Sequence, residues 1–176
     1  MAKLILKRFK CIADTDEVGA ESPYFIVFVG DLETGKTELK MIRQGNWHNE
    51  VDQGETWEVN APVVSGFSFN PNPTLVLVAL IEEDENLDVS NFERDNFIKP
   101  LLAAKFQSFK DSGSTIVTGG IVVGVSSIFK ILLDALLDND DNMGIKRLKP
   151  NGQTGNQPLL NYFADTGHYR VRFVIE

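Results

Sequence analysis

The first half of the chain is cut into short runs of strand character, at residues 4–12, 24–29, 37–43, 56–59, 66–69 and 74–81. Clusters of Gly, Pro, Asn and Asp separate them. Runs of that length and spacing predict antiparallel strands stacked as two sheets. Residues 144–176 return to strand character. In 168–175, Tyr169, Val171, Phe173 and Ile175 fall on one side and Arg170 and Arg172 on the other, the alternation of a half-buried strand. Residues between these zones read as helical. Neither strand zone can close a sandwich alone, so the sequence predicts a single domain over 1–176. Its fold class is mainly β: an antiparallel β-sandwich from 1–87 and 138–176, with an inserted α-helical hairpin at 88–137.

The insertion begins with a cap candidate, Asp88 or Ser90. Phe92, Phe97, Ile98, Leu101, Leu102, Phe106 and Phe109 then fall near one apolar stripe. Pro100 is expected to kink or restart this helix. Residues 112–129 carry no charge, and the apolar run continues to Leu137 apart from Lys130 and Asp134. Such a run approaches the ~20 apolar residues that cross a bilayer. Gly120 and Gly124 give the G-x-x-x-G spacing of close helix contacts. Glycine and serine lower its hydrophobicity, so 115–137 is read as a helix buried on the first helix and the sandwich. Insertion into a membrane after a trigger is the alternative.

With 176 residues, 43% hydrophobic and 24% charged, the chain can bury a sizeable core and is not of disordered type. Its net charge of −8 disfavours nucleic acid as a partner, and disfavours direct docking on anionic lipid unless bound cations change the local sign. The lone Cys11 excludes an internal disulfide and reads as a core residue; with His48 and His168 it leaves little for a zinc site. The alternating N-terminus reads as a strand and not a secretory signal, which implies a cytoplasmic location, with signal-independent export left open. Trp47 and Trp57 read as core or rim aromatics, and sugar stacking keeps a carbohydrate partner among the alternatives.

Gly30-Asp-Leu-Glu-Thr-Gly35-Lys36-Thr37 spells the phosphate-binding loop of nucleotide hydrolases. That loop needs a helix starting at its Lys-Thr, with backbone amides facing the phosphates. Here the continuation stops at Gly45-Asn46, its apolar residues are spaced near two, and Asp31 and Glu33 stand where phosphate oxygens would sit. A hairpin between 24–32 and 37–43, with Gly35 at positive φ, fits better. Residues 75–82 followed by Glu83-Asp84 do imitate the strand and acid that help hold Mg²⁺. Nucleotide hydrolysis is therefore kept as a minor alternative, and the chain is read as non-enzymatic. Ser126-Ser127 lacks the glycines of a nucleophile elbow.

Acidic residues gather in three places: Asp14, Asp16, Glu17 and Glu21; Glu82 to Glu85; and Asp138, Asp140 and Asp141. Each group ends a strand or helix, and the expectation is that they converge at one end of the sandwich. Carboxylates without histidine or thiolate suit a hard cation such as Ca²⁺. Solvation and helix capping explain any one group equally well; the case rests on having three. Compared with an EF-hand loop, Asp138-x-Asp140-x-Asn142 fails, with Met143 and Lys149 where Gly and Glu belong.

The order of segments resembles the C-two type of calcium- and phospholipid-binding β-sandwich. Gly19, then Glu21-Ser22-Pro23-Tyr24, resembles that family's first ligand loop, though Ser22 stands where the family has Asp. The turn at 33–36 falls where the family has a polar hairpin. Asn46-Trp47-His48-Asn49-Glu50 with 55–59 resembles its Asn-Pro-x-(Trp/Phe)-Asn-Glu segment. Residues 75–84 resemble the strand running into Asp-x-Asp, here Glu82 and Asp84, and Asp140-Asp141-Asn142-Met143-Gly144 resembles the end of its third loop. The match covers about 5–85 and 138–150, and the ~50 inserted residues are its largest departure. The resemblance implies a C-two-like fold and, by position, Ca²⁺ ligands among Asp14, Asp16, Glu21, Glu82, Asp84, Asp140 and Asp141.

The function expected from these features is that of a calcium-responsive, non-enzymatic sandwich binding a membrane or partner surface. A toxin-like or pore-forming use of the apolar segment 115–137 would be its extreme form. The alternative is a structural or protein-interaction module whose hairpin is core or an oligomer interface.

Overall fold

A computed structural model describes residues 2–13, 23–43, 53–82, 90–136, 141–164 and 167–176. The strands are β1 (Lys3–Ala13), β2 (Tyr24–Asp31), β3 (Thr37–Ile42), β4 (Thr56–Ser65), β5 (Thr74–Glu82), β6 (Asp141–Leu148), β7 (Gly155–Asn156), β8 (Leu160–Ala164) and β9 (Gly167–Ile175). They form two antiparallel sheets. One is ordered β4-β1-β9, with β7 and β8 along the far edge of β9; the other is ordered β3-β2-β5-β6.

Side-chain alternation decides how the sheets face. Tyr169, Val171, Phe173 and Ile175 of β9 enter the core between the sheets, as their spacing of two requires. They meet Phe25, Val27 and Val29 of β2 and Val76, Val78 and Leu80 of β5. In β1 the register shifts between Leu6 and Arg8, so the inward set changes from Leu4 and Leu6 to Phe9 and Cys11. Phe9 stacks on Tyr169 at 5.4 Å and meets Phe25 edge-on at 5.6 Å. Cys11 is fully buried among them.

Tyr162 joins the two sheets directly: its hydroxyl donates to the Val78 carbonyl at 2.9 Å. Burial raises its pKa well above the ordinary phenol value. The folded state therefore holds this proton more tightly than the unfolded chain. Its contribution is complete below about pH 10 and is lost as pH rises beyond the unfolded value. Tyr162→Phe is expected to cost about 0.5–1.5 kcal/mol near neutral pH in urea unfolding. The same variant should lose less stability than the parent between neutral and strongly alkaline pH.

The second sheet is covered on both faces, and its sequence shows why. All eight residues of β2 are buried, and β5 is apolar from Leu75 to Ile81 without alternation. Strands covered on both sides read as continuous apolar runs. Tyr24, Ile26, Phe28, Leu77 and Ala79 point away from the intersheet core into a second core, closed by helices.

Those helices are α1 (Asn91–Glu93), a π-turn (Arg94–Ile98), α2 (Lys99–Asp111) and α3 (Gly119–Leu136). Ser90 is the cap. Its hydroxyl accepts from the Glu93 amide at 3.1 Å, and the Glu93 carboxylate accepts from the Ser90 amide at 2.8 Å. The Ser90 hydroxyl also donates to the Glu93 carboxylate at 2.7 Å, and this bond, then the one from the Ser90 amide, holds the Glu93 carboxyl below the usual carboxylate range. Pro100 stands in the first turn of α2, where the α-helix restarts after the π-turn, as expected. The π-turn ends just before it, with the Lys99 amide donating to the Arg94 carbonyl, so the wider turn absorbs the missing donor.

Each helix packs through residues four apart: Ile98, Leu102 and Phe106, then Ile121, Val125, Phe129 and Leu133. Two glycines allow close approach. A Cβ at Gly30 would lie 2.7 Å from Phe106, and one at Gly124 would lie 2.9 Å from Phe109. Gly124 thus serves contact between α2 and α3, whereas a Cβ at Gly120 would meet the Thr118 hydroxyl at an ordinary 3.8 Å.

Some sequence expectations need adjustment. Residues 66–69 are not a strand. β4 continues to Ser65, then Gly66 and Phe69 take left-handed φ of 77° and 53°, which turns Phe67 and Phe69 into the core. The second helix starts at Gly119 instead of Thr115.

Candidate functional site

Residues 30–37 form a hairpin. Gly30 pairs with Thr37, and β3 continues antiparallel from there, so no helix begins at Lys36-Thr37. Asp31, 3% exposed, caps the turn by accepting from the Glu33 and Thr34 amides at 2.9 and 3.0 Å and from the Ser68 hydroxyl. Lys36 donates to the carbonyls of Ser65 and Gly66 and lies over the Phe67 ring at 4.4 Å, tying the turn to β4. Gly35 has φ of 77°. Gly35→Ala is therefore expected to cost about 1–2 kcal/mol in chemical unfolding, the left-handed penalty for an L-residue.

At the opposite end of the sheets lie the strand ends from which the acidic segments of the sequence continue. Register places Tyr24 opposite Ile81, Phe25 opposite Ile42 and Glu82 opposite Asp141. In the other sheet Ala13 lies opposite His168 and Lys10 opposite Thr56. The end of β1, the start of β2, the end of β5 and the start of β6 therefore share one end of the molecule. Asp14, Asp16, Glu21, Asp84 and Asp140 lie outside the described residues. Glu82 and Asp141 are paired through their backbones, and their side chains are outside the description. Among the described residues no three His, Cys, Asp or Glu side chains form a metal-binding group.

The helical hairpin is anchored to the same end. It starts at Ser90, beyond β5, and leads back into β6, where the Asn142 side-chain amide donates to Asp134 of α3 at 3.3 Å. A groove of about 300 Å³ lies here between α3 and β6, lined by Ser126, Ser127, Lys130, Asn142, Gly144 and Ile145. The hairpin's tip reaches the other end of the sheet, where the Val117 amide donates to the Asn72 carbonyl at 2.7 Å.

Near its start the hairpin exposes apolar side chains. Phe92 is 67% exposed, Phe97 47% and Leu101 50%. The two phenylalanine rings meet edge to face at 6.1 Å. On a regular helix residues five apart would diverge; the intervening π-turn brings them together. A uniform 3.6-residue spacing had placed Phe92, Phe97 and Leu101 in the buried stripe. The structure separates them from Ile98, Leu102 and Phe106, which alone of this group are fully buried. On α3, Val123 and Ile131 are also largely exposed. Trp57, partly buried against the core, donates its indole N–H to Glu55. Trp47 and His48 lie outside the described residues.

The chain matches no protein-family model and no curated protein.

Proposed function

We propose that this protein is a non-enzymatic surface-binding module that docks on a lipid bilayer with its acidic end, in a Ca²⁺-responsive manner. The observation that carries this reading is the exposed pair Phe92 and Phe97, continued by Leu101, on a helix that starts from that end. An apolar ridge held out in water is a binding surface in waiting. Acidic residues that follow in sequence from the neighbouring strand ends would repel an anionic bilayer until a cation reverses the local sign. Candidate ligands remain Asp14, Asp16, Glu21, Glu82, Asp84, Asp140 and Asp141. The C-two-type resemblance rests on the order of motifs, and the sharing of one end by the strands that flank them supports it.

Docking through the ridge is favoured over insertion of α3. At 18 residues α3 spans about 27 Å, and it is long and apolar enough to cross a membrane by length and composition. Its own apolar side chains would pass into lipid, but its departure would open the second core to water. There, side chains such as Ile26, Phe28, Leu77 and Ile81 cost roughly 1.5–3 kcal/mol each, or about 6–12 kcal/mol together. That rivals the whole stability of a domain. The ridge forfeits none of it. Co-sedimentation with anionic vesicles tests this reading: the chain is expected in the pellet with Ca²⁺ and in the supernatant with chelator. Absence from the pellet in both would overturn it.

A second reading has its own observation. Gly119 is open and Val123 and Ile131 are exposed on the outer side of α3, a surface on which the helix of a second copy could lie close. Light scattering would show a stable dimer under this reading, with vesicles left unbound.

A further inference from the structure

The outer face of the β4-β1-β9 sheet concentrates positive charge on an otherwise acidic protein. Two pairs of like charges stand directly opposite each other across β1 and β9: Arg8 faces Arg172, and Lys10 faces Arg170. Like charges in such cross-strand positions oppose folding. With Leu159 the four side chains line a pocket of about 160 Å³. The bulge between Leu6 and Arg8 matters here. It moves Phe9 and Cys11 into the core, which leaves Arg8 and Lys10 on the outer face beside the Arg170 and Arg172 row.

Neutralisation within the patch is partial. Arg8 forms an ion pair with Glu58 on β4, and Arg170 donates through Nε to the Asn161 side-chain oxygen at 3.2 Å. Among the described residues no carboxylate pairs with Lys10, Arg170 or Arg172. Glu58 bounds the patch on one flank and Asn161 on the other, so it is compact and suits a small ligand better than a polymer.

We infer that Arg8, Lys10, Arg170 and Arg172 form a binding site for a compact, multiply charged phosphate group, a polyphosphate or a phosphate monoester. A phosphate monoester carries ≈ −1.5 to −2 charges at neutral pH and three acceptor oxygens, and arginine forks match that geometry. Bound there, it replaces the repulsion within each cross-strand pair with charge-assisted hydrogen bonds. The site is independent of Ca²⁺ and of the aromatic ridge, which lies on the helices covering the other sheet.

Calorimetric titration of the full chain with inorganic tripolyphosphate, pyrophosphate and sulfate, in chelator at low ionic strength, tests the site. Binding is expected to strengthen with charge and weaken steeply with salt. Lys10→Gln with Arg172→Gln should weaken tripolyphosphate binding about a hundredfold. The thermal midpoint should stay or rise, because the opposed charges are relieved. Phe92→Ser with Phe97→Ser should leave this binding intact, so this site and the membrane reading fail separately. Vesicles of phosphatidylcholine with and without a phosphoinositide distinguish the sources. Recruitment that the Lys10/Arg172 variant loses identifies a lipid headgroup, and tripolyphosphate binding without recruitment identifies a soluble ligand. No heat with any polyphosphate, or equal binding by parent and Lys10/Arg172 variant, would overturn the inference.

Discussion

Phe106→Ala is expected to cost about 3–5 kcal/mol, the usual range for removing a fully buried ring. Phe106 is completely buried, meets Phe28 edge-on at 5.9 Å and lies over Gly30. It is the side chain by which α2 grips β2, at a point where glycine has cleared space for it. Truncation would leave a void that Gly30 cannot fill. A domain of this size has roughly 5–15 kcal/mol in total, so the loss would be a large share. Urea unfolding followed by circular dichroism gives the number. Amide exchange in α2 and α3 should accelerate more than in β1 and β9, because the second core is weakened and the intersheet core is untouched. A loss under about 1 kcal/mol would mean that the hairpin does not pack on the sheet as described.

Phe92→Ser with Phe97→Ser should have the opposite profile: little change in folding and a large loss of vesicle binding. Phe92 is mostly in water and Phe97 about half so, and the folded state loses mainly their edge-to-face contact, about 0.5–1.5 kcal/mol. Buried in lipid, each ring would contribute about 1.5–3 kcal/mol. The pair together corresponds to roughly a hundred- to ten-thousandfold in affinity for vesicles. Vesicle titration of parent and double variant checks this. Undiminished binding would place the contact elsewhere on the surface, with Val123 and Ile131 of α3 the next face to alter.

The two sheets were legible from spacing because apolar periodicity carries burial information directly. Tyr169 to Ile175 alternate and face one core; Phe25 to Val29 run unbroken and face two. The unbroken run fits the covering helices, since a strand apolar on both sides needs a second layer. The 66–69 segment misled because Phe67 and Phe69 are two apart and both buried, which imitates a strand. Their spacing is the same, and a left-handed Phe69, invisible in the sequence, makes the difference. Helix faces failed in a similar way. Assigning Phe92 and Phe97 to the buried stripe assumed 3.6 residues per turn throughout, and the π-turn ahead of Pro100 changes the phase.

The candidate site was legible as composition more than as geometry. Three acidic groups at element ends could be read off directly, and antiparallel register then places the flanking strand ends together. Whether carboxylates gather around an ion depends on the chain between those strands, which strand periodicity does not determine. The cationic patch was half visible: Arg170 and Arg172 stood on one side of β9 in the alternation. Their facing partners Arg8 and Lys10 depended on strand pairing and on a bulge in β1 that carries no sequence signature.

Environment-sensitive fluorophores at two ends of the hairpin test the docking geometry most directly. Asn91 is exposed beside the aromatic ridge, and Ser112 is exposed at the distant tip. Cys11 is fully buried, so a cysteine introduced at either position offers the accessible thiol. With anionic vesicles and Ca²⁺, the label at Asn91→Cys is expected to shift to the blue as it enters an apolar environment. The label at Ser112→Cys should stay unchanged, and chelation should reverse the shift. A blue shift at Ser112→Cys alone, or no shift at either position, would contradict docking through the acidic end.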